Sequence, residues 1–271
     1  MGTSSIYSGY SNGNSQGNPL LPSDFDENEA SEDTINGDQS NEDDLSPTEN
    51  KVSDKNISWQ TAKTSMSKLP SGKSTINKSV SNYVKAYGGA KSASKKAKSG
   101  IATIINLGQF INSVTSQGYS QTLEKFDIDY NNKSAKDVLS DLINYLAPSP
   151  ITKEDSIARK ALIITMEGLY ELLEKENLEI DKINNETLNY IIPKYIENYI
   201  YERIINDLGS CIETYTSNSL QAIKIEQEIK DYINVKVDIA FKGKDFEKMS
   251  FAKNEVESLY NQCYTIMENM L

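Results

Sequence analysis

Ser71–Thr75 is the segment of this chain whose residue types come nearest to a known chemistry, the binding of phosphate. Its Gly-Lys-Ser order matches the end of the loop motif G-x-x-x-x-G-K-[ST], in which backbone N–H groups and the lysine surround a phosphate group. The first glycine of that motif falls on position 67, where this chain has Ser67. The residues before the segment also have helical spacing, whereas the motif follows a strand. We therefore expect no nucleotide site here.

The remaining residue types exclude most catalytic machinery. The chain has no histidine, which excludes Ser-His-Asp and Cys-His nucleophiles and every metal site with an imidazole ligand. Its two cysteines, Cys211 and Cys263, cannot form a four-thiolate site, and Cys263 lies on an apolar helical stripe that predicts a packing role. The acidic pairs Asp43-Asp44 and Asp127 with Asp129 lack convergent partners and are expected to be surface charge. The sequence therefore predicts a protein that is not an enzyme and binds no metal or cofactor.

Charge is divided unevenly along the chain. Residues 1–50 contain eleven acids and no Lys or Arg, while the other 28 acids are balanced by all 28 bases, so the net charge of −11 belongs to this first part. No acid lies between Asp54 and Glu124, an interval with ten lysines. Nucleic acid, an acidic protein segment and plain solvation all remain open as explanations. The candidate basic contact surface comprises Lys85, Lys91, Lys95, Lys96 and Lys98.

Residues 1–56 read as a long, acidic N-terminal arm. Too few of its residues are apolar to offset the entropic cost of ordering, so we expect disorder in isolation. One apolar island interrupts the arm, and its two prolines restrict the backbone and lower the cost of docking in an extended form. A chance cluster in a linker remains the alternative. The predicted partner-binding residues are Asn18, Pro19, Leu20, Leu21, Pro22 and Phe25.

Gly2 is the candidate site of a modification. A residue this small after the initiator methionine permits removal of that methionine, which would leave a free glycine α-amine on the arm. Its pKa of roughly 7.7–8.0 makes it a better nucleophile near neutral pH than a lysine side chain. The pattern for N-myristoylation requires Ser or Thr where Ile6 stands, so we do not expect that lipid.

The region 57–271 has apolar residues at three- and four-residue spacing, which predicts an all-α fold, an irregular helical bundle. A division into subdomains at about 57–118 and 119–271 is left open. Gly108 is expected to interrupt an apolar helix, and the small residues of this part are expected to let helices pack closely. Helices are predicted over about 75–86, 101–114, 154–176, 186–208, 218–234 and 246–270.

Three local signals refine these helices. Thr152 with Asp155 predicts a capping arrangement at the start of the helix that follows. Pro193 predicts a kink or a helix start. Val235–Phe241 alternates with period two, but a lone strand would have no partner, so we assign it to a helix.

No stretch reaches the roughly 18 consecutive apolar residues that a bilayer span requires. The first residues have neither the basic region nor the apolar core of a secretory signal. We therefore expect a cytoplasmic protein without membrane contact, in which the cysteines stay reduced.

Several short segments of the sequence resemble the QatB family of the Qat anti-phage defence system. The chain differs from that pattern in its long acidic insertion after Phe25 and in having lysine where more arginine is expected. No shared motif follows about residue 175. The similar segments are MGTSS at 1–5, NPLLP at 18–22, Trp59 and Ala62, YVKAYGGA at 83–90 with the small basic stretch after it, and Ile157-Ala158-Arg159.

The resemblance implies a place in a four-component operon with an ATPase, an enzyme similar to QueC of 7-deazaguanine synthesis and a nuclease similar to TatD. A QueC-like enzyme activates a deazaguanine carboxylate with ATP for attack by ammonia, and the α-amine of Gly2 could take the place of ammonia. The implied function is a non-enzymatic defence component that is modified at Gly2. Two alternatives remain: an adaptor that bridges the ATPase and the other components, and a nucleic-acid-binding subunit that uses the Lys55–Lys98 stretch.

Overall fold

A computed structural model describes residues 57–175 and 185–269, and within them it contains ten α-helices and no strand. The prediction of an all-α fold is confirmed, while the predicted arm, residues 1–56, lies outside the described residues. The helices are α1 (Trp59–Ser67), α2 (Ile76–Ala86), α3 (Ala90–Lys95), α4 (Lys98–Gln117), α5 (Tyr119–Lys125), α6 (Ala135–Leu146), α7 (Lys153–Lys175), α8 (Asn185–Tyr215), α9 (Ser219–Phe241) and α10 (Lys253–Glu268).

Polar side chains fix the start of several helices. Thr152 and Asp155 form the predicted cap: the N–H of Asp155 donates to Thr152 Oγ1 over 3.1 Å, and the N–H of Thr152 donates to Asp155 Oδ2 over 2.9 Å. Ser134 and Asp137 form the same reciprocal pair at the start of α6. Each pair satisfies two backbone donors that the first helical turn leaves free. Neither α6 nor the short α5 was predicted from the sequence.

Helix α8 is the centre of the fold. It contacts α1, α4, α7 and α9, and its buried apolar side chains recur at three- and four-residue spacing along most of its length. It begins at Asn185 and continues through Pro193, so Pro193 is not a helix start. Residues that are 1% exposed or less include Leu188, Ile191, Ile192, Tyr195, Ile196, Tyr199, Ile200, Ile204, Leu208 and Ile212.

Two glycines of α4 admit aromatic rings from elsewhere in the fold. A Cβ at Gly100 would lie 2.6 Å from Tyr260 Oη and 2.7 Å from a ring carbon of Tyr199. A Cβ at Gly108 would lie 2.3 Å from the ring of Phe251. Both distances are far below van der Waals contact, so only glycine fits. The expected close packing through small residues is confirmed, but α4 runs through Gly108 without interruption.

The helix boundaries near the C-terminus differ from those predicted. The last helix begins at Lys253, not at about residue 246, because Phe251 has a φ of 55°, in the left-handed region that ends or prevents helix. Met249 and Ala252 had matched its apolar spacing, yet they lie before it. Val235–Phe241 is helical, as predicted, and forms the end of α9.

Helices from both sides of residue 118 contact one another, for example α1 with α8 and α3 with α10. The division into subdomains stays a prediction. No helix among the described residues combines the length and apolar content that crossing a membrane requires.

Candidate functional site

The YVKAYGGA segment, Tyr83–Ala90, contains the end of α2 and a tight turn into α3. Gly88 and Gly89 have φ values of 89° and 83°, which strongly favour glycine. The N–H of Ala90 donates to Glu268 Oε2 over 3.0 Å, and a Cβ on Gly89 would lie 3.0 Å from the other carboxylate oxygen. The turn therefore brings the start of α3 against the end of α10.

Tyr83 of α2 and Tyr87, the residue after this helix ends, share one carboxylate. Tyr83 and Tyr87 both donate their hydroxyls to Asp207 Oδ2, over 2.9 and 2.7 Å. Lys153 donates to the other oxygen, Oδ1, over 2.8 Å. Trp59 of α1 packs edge-on against both tyrosine rings, with centroid distances of 5.8 and 4.9 Å. Asp207 thus joins α2, α7 and α8 under an aromatic cover.

Arg203 lies one helical turn before Asp207 and is 3% exposed. Its guanidinium lies over the ring of Tyr87 at 4.4 Å, and one of its terminal nitrogens donates to the carbonyl of Ala93 over 3.0 Å and to the hydroxyl of Tyr264 over 3.2 Å. Its Nε is 3.9 Å from Glu154 Oε2. The guanidinium therefore connects α2, α3, α7 and α10 to the central helix α8.

Tyr199 completes this group, which we call the Arg203 cluster: Tyr83, Tyr87, Glu154, Tyr199, Arg203, Asp207 and Tyr264. Tyr199 donates its hydroxyl to Glu154 Oε1. Since Tyr199, Arg203 and Asp207 follow one another at intervals of four residues, they lie on one face of α8.

Burial governs the protonation of the cluster. It raises the pKa of Tyr87 to about 12, and together with the nearby charge of Asp207 it raises the pKa of Tyr83 well above its ordinary value. Both tyrosines therefore remain protonated donors near neutral pH. Burial also raises the pKa of Glu154, although Arg203 and the Tyr199 hydroxyl act in the opposite direction.

The contacts within the Arg203 cluster describe a structural junction. Both oxygens of Asp207 accept hydrogen bonds from within the protein, and the guanidinium of Arg203 is enclosed by rings and backbone. Buried polar groups that bond one another fix the relative positions of the helices that carry them. Among the described residues, no group of three or more Asp, Glu or Cys side chains is arranged to hold a metal ion.

The predicted site residues fall into two sets. Gly2, the segment Asn18–Pro22 and Phe25 lie outside the described residues. Four of the five lysines of the candidate basic contact surface, Lys91, Lys95, Lys96 and Lys98, are exposed, and Lys85 is half-buried. Within the described part of the chain, none of the five has a carboxylate at ion-pairing distance, and Lys96 Nζ lies 5.2 Å from the ring centre of Tyr87.

The segment Ser71–Thr75 forms a turn and a helix cap. Gly72 has a φ of 68°, and Thr75 Oγ1 accepts a hydrogen bond from the N–H of Lys78 over 3.2 Å at the start of α2. The Ser74 and Ser79 hydroxyls are hydrogen-bonded to each other over 3.1 Å. The Gly-Lys-Ser-Thr order is accounted for by this local capping.

The other chemistry-bearing residues also occupy ordinary positions. Cys263 is fully buried, as its place on an apolar stripe predicted, and Cys211 is partly buried; both are free thiols. Asp129 accepts the N–H of Asn131 over 3.1 Å within an exposed turn.

Arg203 was not among the predicted site residues, although the amino-acid composition contains a signal for it. Only two of the 28 basic residues are arginine, Arg159 and Arg203. Both bind main-chain carbonyl groups: Arg203 binds that of Ala93, and Arg159 binds that of Ala147 as well as the Asn144 side-chain oxygen over 2.6 Å. In a chain that otherwise uses lysine, an arginine marks a place where a planar, multidentate donor is needed.

The chain matches a known protein family over most of its length. A family model described as Qat anti-phage system associated protein QatB matches residues 88–270, which is more than half of the chain. Neither the curated proteins nor the solved structures contain a match to the chain.

Proposed function

Because the chain belongs to the QatB family, whose members are associated with the Qat anti-phage system, we propose that it is a non-enzymatic, cytosolic component of this defence. We further propose that a QueC-like partner modifies the α-amine of Gly2. The observation that carries the proposal is the residue order at the start of the chain: a small residue after the methionine, then the NPLLP segment, both on an arm of 56 residues.

The proposed reaction requires only the α-amine of Gly2 from this protein. The neutral amine attacks a carboxyl carbon that the partner has activated with ATP, and an amide bond forms while the activating group leaves with one carboxylate oxygen. The amine loses a proton in this step. Glycine suits an acceptor because it has no side chain to obstruct entry into a deep active site.

The described helices support the proposal because they hold the chain rigidly from Ser58 onward. Ser58 caps α1, and Ala62 and Met66 bury α1 in the core, while Trp59 packs on Tyr83 and Tyr87. The Arg203 cluster, whose polar groups bond one another, holds these tyrosines in place. The residues between Gly2 and Ile57 span up to roughly 180 Å when extended, so the amine can enter a partner while the body stays outside.

Intact-mass measurement tests the modification. The chain is purified from cells that carry the whole system, with the QueC-like enzyme either active or inactivated, and fragmentation locates any added mass. We expect an adduct on Gly2 only with the active enzyme. The Gly2→Ala variant keeps a free α-amine after methionine removal, whereas Gly2→Glu retains the methionine and should carry no adduct on residue 2. An unmodified Gly2 in cells with active defence would refute the proposal.

An adaptor function is the second candidate, favoured by exposed apolar side chains where α8 meets α9. Tyr215, Leu220 and Ile223 are 65%, 76% and 62% exposed. Exposed apolar residues that lie close together are typical of protein contact surfaces. The variant Leu220→Asp/Ile223→Asp should then lose co-purification with the ATPase or the TatD-like nuclease, while Ile239→Asp, at the other end of α9, should not.

A further inference from the structure

Trp59 and Tyr87 form an aromatic pair at the protein surface. Their ring centres are 4.9 Å apart; Trp59 is 39% exposed and Tyr87 is half-buried. Lys96 Nζ lies 5.2 Å from the ring centre of Tyr87. The Tyr87 hydroxyl donates to Asp207, and Lys153, whose side chain is 60% exposed, donates to the other oxygen of that carboxylate. Two exposed lysines therefore lie beside accessible aromatic rings.

The helices that carry the aromatic pair contain no acid. Between residue 57 and Glu124 the chain has nine lysines, no arginine and no Asp or Glu, and eight of the nine lysines are exposed. Lys95 and Lys98 lie within two positions of Lys96, so the three side chains place their positive charge close together. None of the three forms an ion pair with a carboxylate of the described residues.

The acids near this surface already have hydrogen-bond partners. Both oxygens of Asp207 accept hydrogen bonds from side chains. Glu154 and Asp155, at the start of α7, accept the hydroxyls of Tyr199 and Ser99. None of these carboxylates pairs with an exposed lysine of α3 or α4, so those lysines remain available to an anionic ligand.

We propose that single-stranded nucleic acid binds at this surface, with one base stacked on Trp59 and phosphates paired with Lys95, Lys96 and Lys98. Proteins that bind single strands without sequence preference combine aromatic rings, on which bases stack, with basic residues that contact the backbone. Both components lie side by side here. We call these four residues together with Tyr87 the Trp59 surface.

The residue types of the Trp59 surface select among anionic ligands. Bases stack on protein aromatic rings when the strand is unpaired, because a duplex keeps its bases stacked on one another. An acidic peptide would pair with the lysines but would leave the indole without a stacking partner. Lysine binds phosphate as a point charge, and arginine, which reads base edges in bidentate pairs, is absent from α1 to α4. Binding should therefore depend on strandedness and little on base sequence.

The net charge of the chain makes any such binding a local property. The whole chain carries −11, so a general attraction of nucleic acid to the protein is not expected. A few phosphate contacts and one stacked base correspond to weak binding, with a Kd of about 1–100 μM. This inference goes beyond the proposed function, and it involves neither Gly2 nor the partner enzyme.

Trp59 is also the reporter for the test, because it is the only tryptophan of the chain. The purified full-length chain is titrated with oligothymidylate of about 16 nucleotides. A base stacked on the indole should quench the tryptophan fluorescence in step with the rise in anisotropy of a labelled strand. The affinity should fall about 20-fold between about 0.05 M and about 0.2 M salt, since three phosphate contacts on a single strand give a slope of about −2.1.

Lysine variants test the phosphate contacts. Replacing the three lysines of the Trp59 surface with glutamine should weaken binding and remove most of its salt dependence. A matched control replaces three exposed lysines elsewhere, makes the same change in net charge, and should bind as the wild type does. The two variants are Lys95→Gln/Lys96→Gln/Lys98→Gln and Lys175→Gln/Lys242→Gln/Lys253→Gln.

Two changes at Trp59 test the stacked base by anisotropy. Trp59→Leu keeps an apolar side chain but removes the flat ring, and it should weaken binding by about 5- to 150-fold, the range for one stacked base. Trp59→Phe keeps a ring and should lose less. Circular dichroism checks that both variants fold, since Trp59 packs on Tyr83 and Tyr87. An equal loss in both would show that this packing, and not base stacking, is required, and would overturn the proposal.

Four further results would also overturn it. The first is an unquenched tryptophan at about 1 mM strand, ten times the weakest expected Kd. The second is unchanged binding by the glutamine variant of the Trp59 surface. The third is tighter binding of a duplex than of the single strand. The fourth is equal binding of inorganic polyphosphate or of poly-glutamate, which would identify a site for any polyanion or for an acidic protein segment. None of these measurements involves the partner or Gly2, so a failure here is distinct from an unmodified Gly2.

Discussion

Gly108 gives the sharpest test of the packing between α4 and the segment before α10. The change Gly108→Ala adds one methyl group to a helix interior, which by intrinsic propensity would stabilise the helix by about 1 kcal/mol. In this structure the new Cβ would lie 2.3–2.5 Å from three ring atoms of Phe251. Ordinary contacts between carbon atoms are about 3.5–4.0 Å, so the ring must move by more than about 1 Å.

The net effect follows from these two opposing contributions. Phe251 is 2% exposed and has little room to move. Overpacking of this kind costs about 1–3 kcal/mol, and complete loss of the ring from its site would cost about 3–5 kcal/mol. When the gain in helix propensity is subtracted from this cost, Gly108→Ala should lower the free energy of unfolding by about 2 kcal/mol.

Gly168→Ala is the matched control. Gly168 also lies inside a helix, α7, but its Cβ would meet only the Tyr190 hydroxyl at 3.4 Å, an ordinary contact. This variant should therefore gain up to about 1 kcal/mol from helix propensity. The same chemical change is thus expected to have opposite signs at the two glycines.

Urea unfolding followed by circular dichroism measures both effects. With an m-value of about 3 kcal/mol per M, the midpoint of Gly108→Ala should fall by about 0.7 M. A double-mutant cycle adds Phe251→Ala, in which the obstructing ring is gone, and there Gly108→Ala should no longer destabilise. Steric conflict with Phe251 is not the cause if Gly108→Ala is as stable as Gly168→Ala, or if Gly108→Ala still destabilises the protein when the ring of Phe251 is removed.

The Arg203 cluster and the Asp155 cap yield two shorter predictions. Arg203→Met should lower the free energy of unfolding by about 3–5 kcal/mol, because the Ala93 carbonyl loses its donor and Glu154 loses the nearby positive charge, and a loss below about 1 kcal/mol in urea titration would contradict the described contacts. Asp155→Asn should cost about 1 kcal/mol near pH 6, the usual worth of an exposed cap. Since the hydroxyl of Ser99 and the N–H of Thr152 lower the pKa of Asp155 to about 2, its contribution is present above the unfolded pKa of about 3.9 and is lost as the pH falls toward 2. The wild type and Asp155→Asn should therefore converge in stability at acid pH, and a constant difference would argue against a lowered pKa.

The sequence was informative where structure depends on nearby residues. The helices α7, α8 and α9 follow from three- and four-residue spacing, and the Thr152–Asp155 cap follows from two side chains three positions apart. Even the alternating Val235–Phe241 was predicted correctly, because an isolated strand has no hydrogen-bond partner.

The sequence was uninformative where distant residues decide. The start of α10 was placed too early because Met249 and Ala252 fit the helical spacing, whereas Phe251 takes a left-handed conformation and its ring fills the space that Gly108 leaves. Likewise, the spacing of Tyr83 with Ile76 and Val80 indicates only an apolar helix face. The hydrogen-bond partner of Tyr83, Asp207, lies 124 positions away in the sequence, and no local pattern predicts such a pair. The predicted site residues Gly2 and Asn18–Pro22 lie outside the described residues and stay predictions.

The four-residue spacing of Tyr199, Arg203 and Asp207 makes α8 intolerant of insertions and deletions. One residue inserted between Tyr199 and Asp207 would rotate everything beyond it by about 100° around the helix axis and carry the carboxylate away from both tyrosines. The exposed turn at Asn131–Asn132 has no such register to keep. An epitope tag or a fluorescent reporter therefore belongs in that turn, where the chain can lengthen without rephasing the helices on which the body is built.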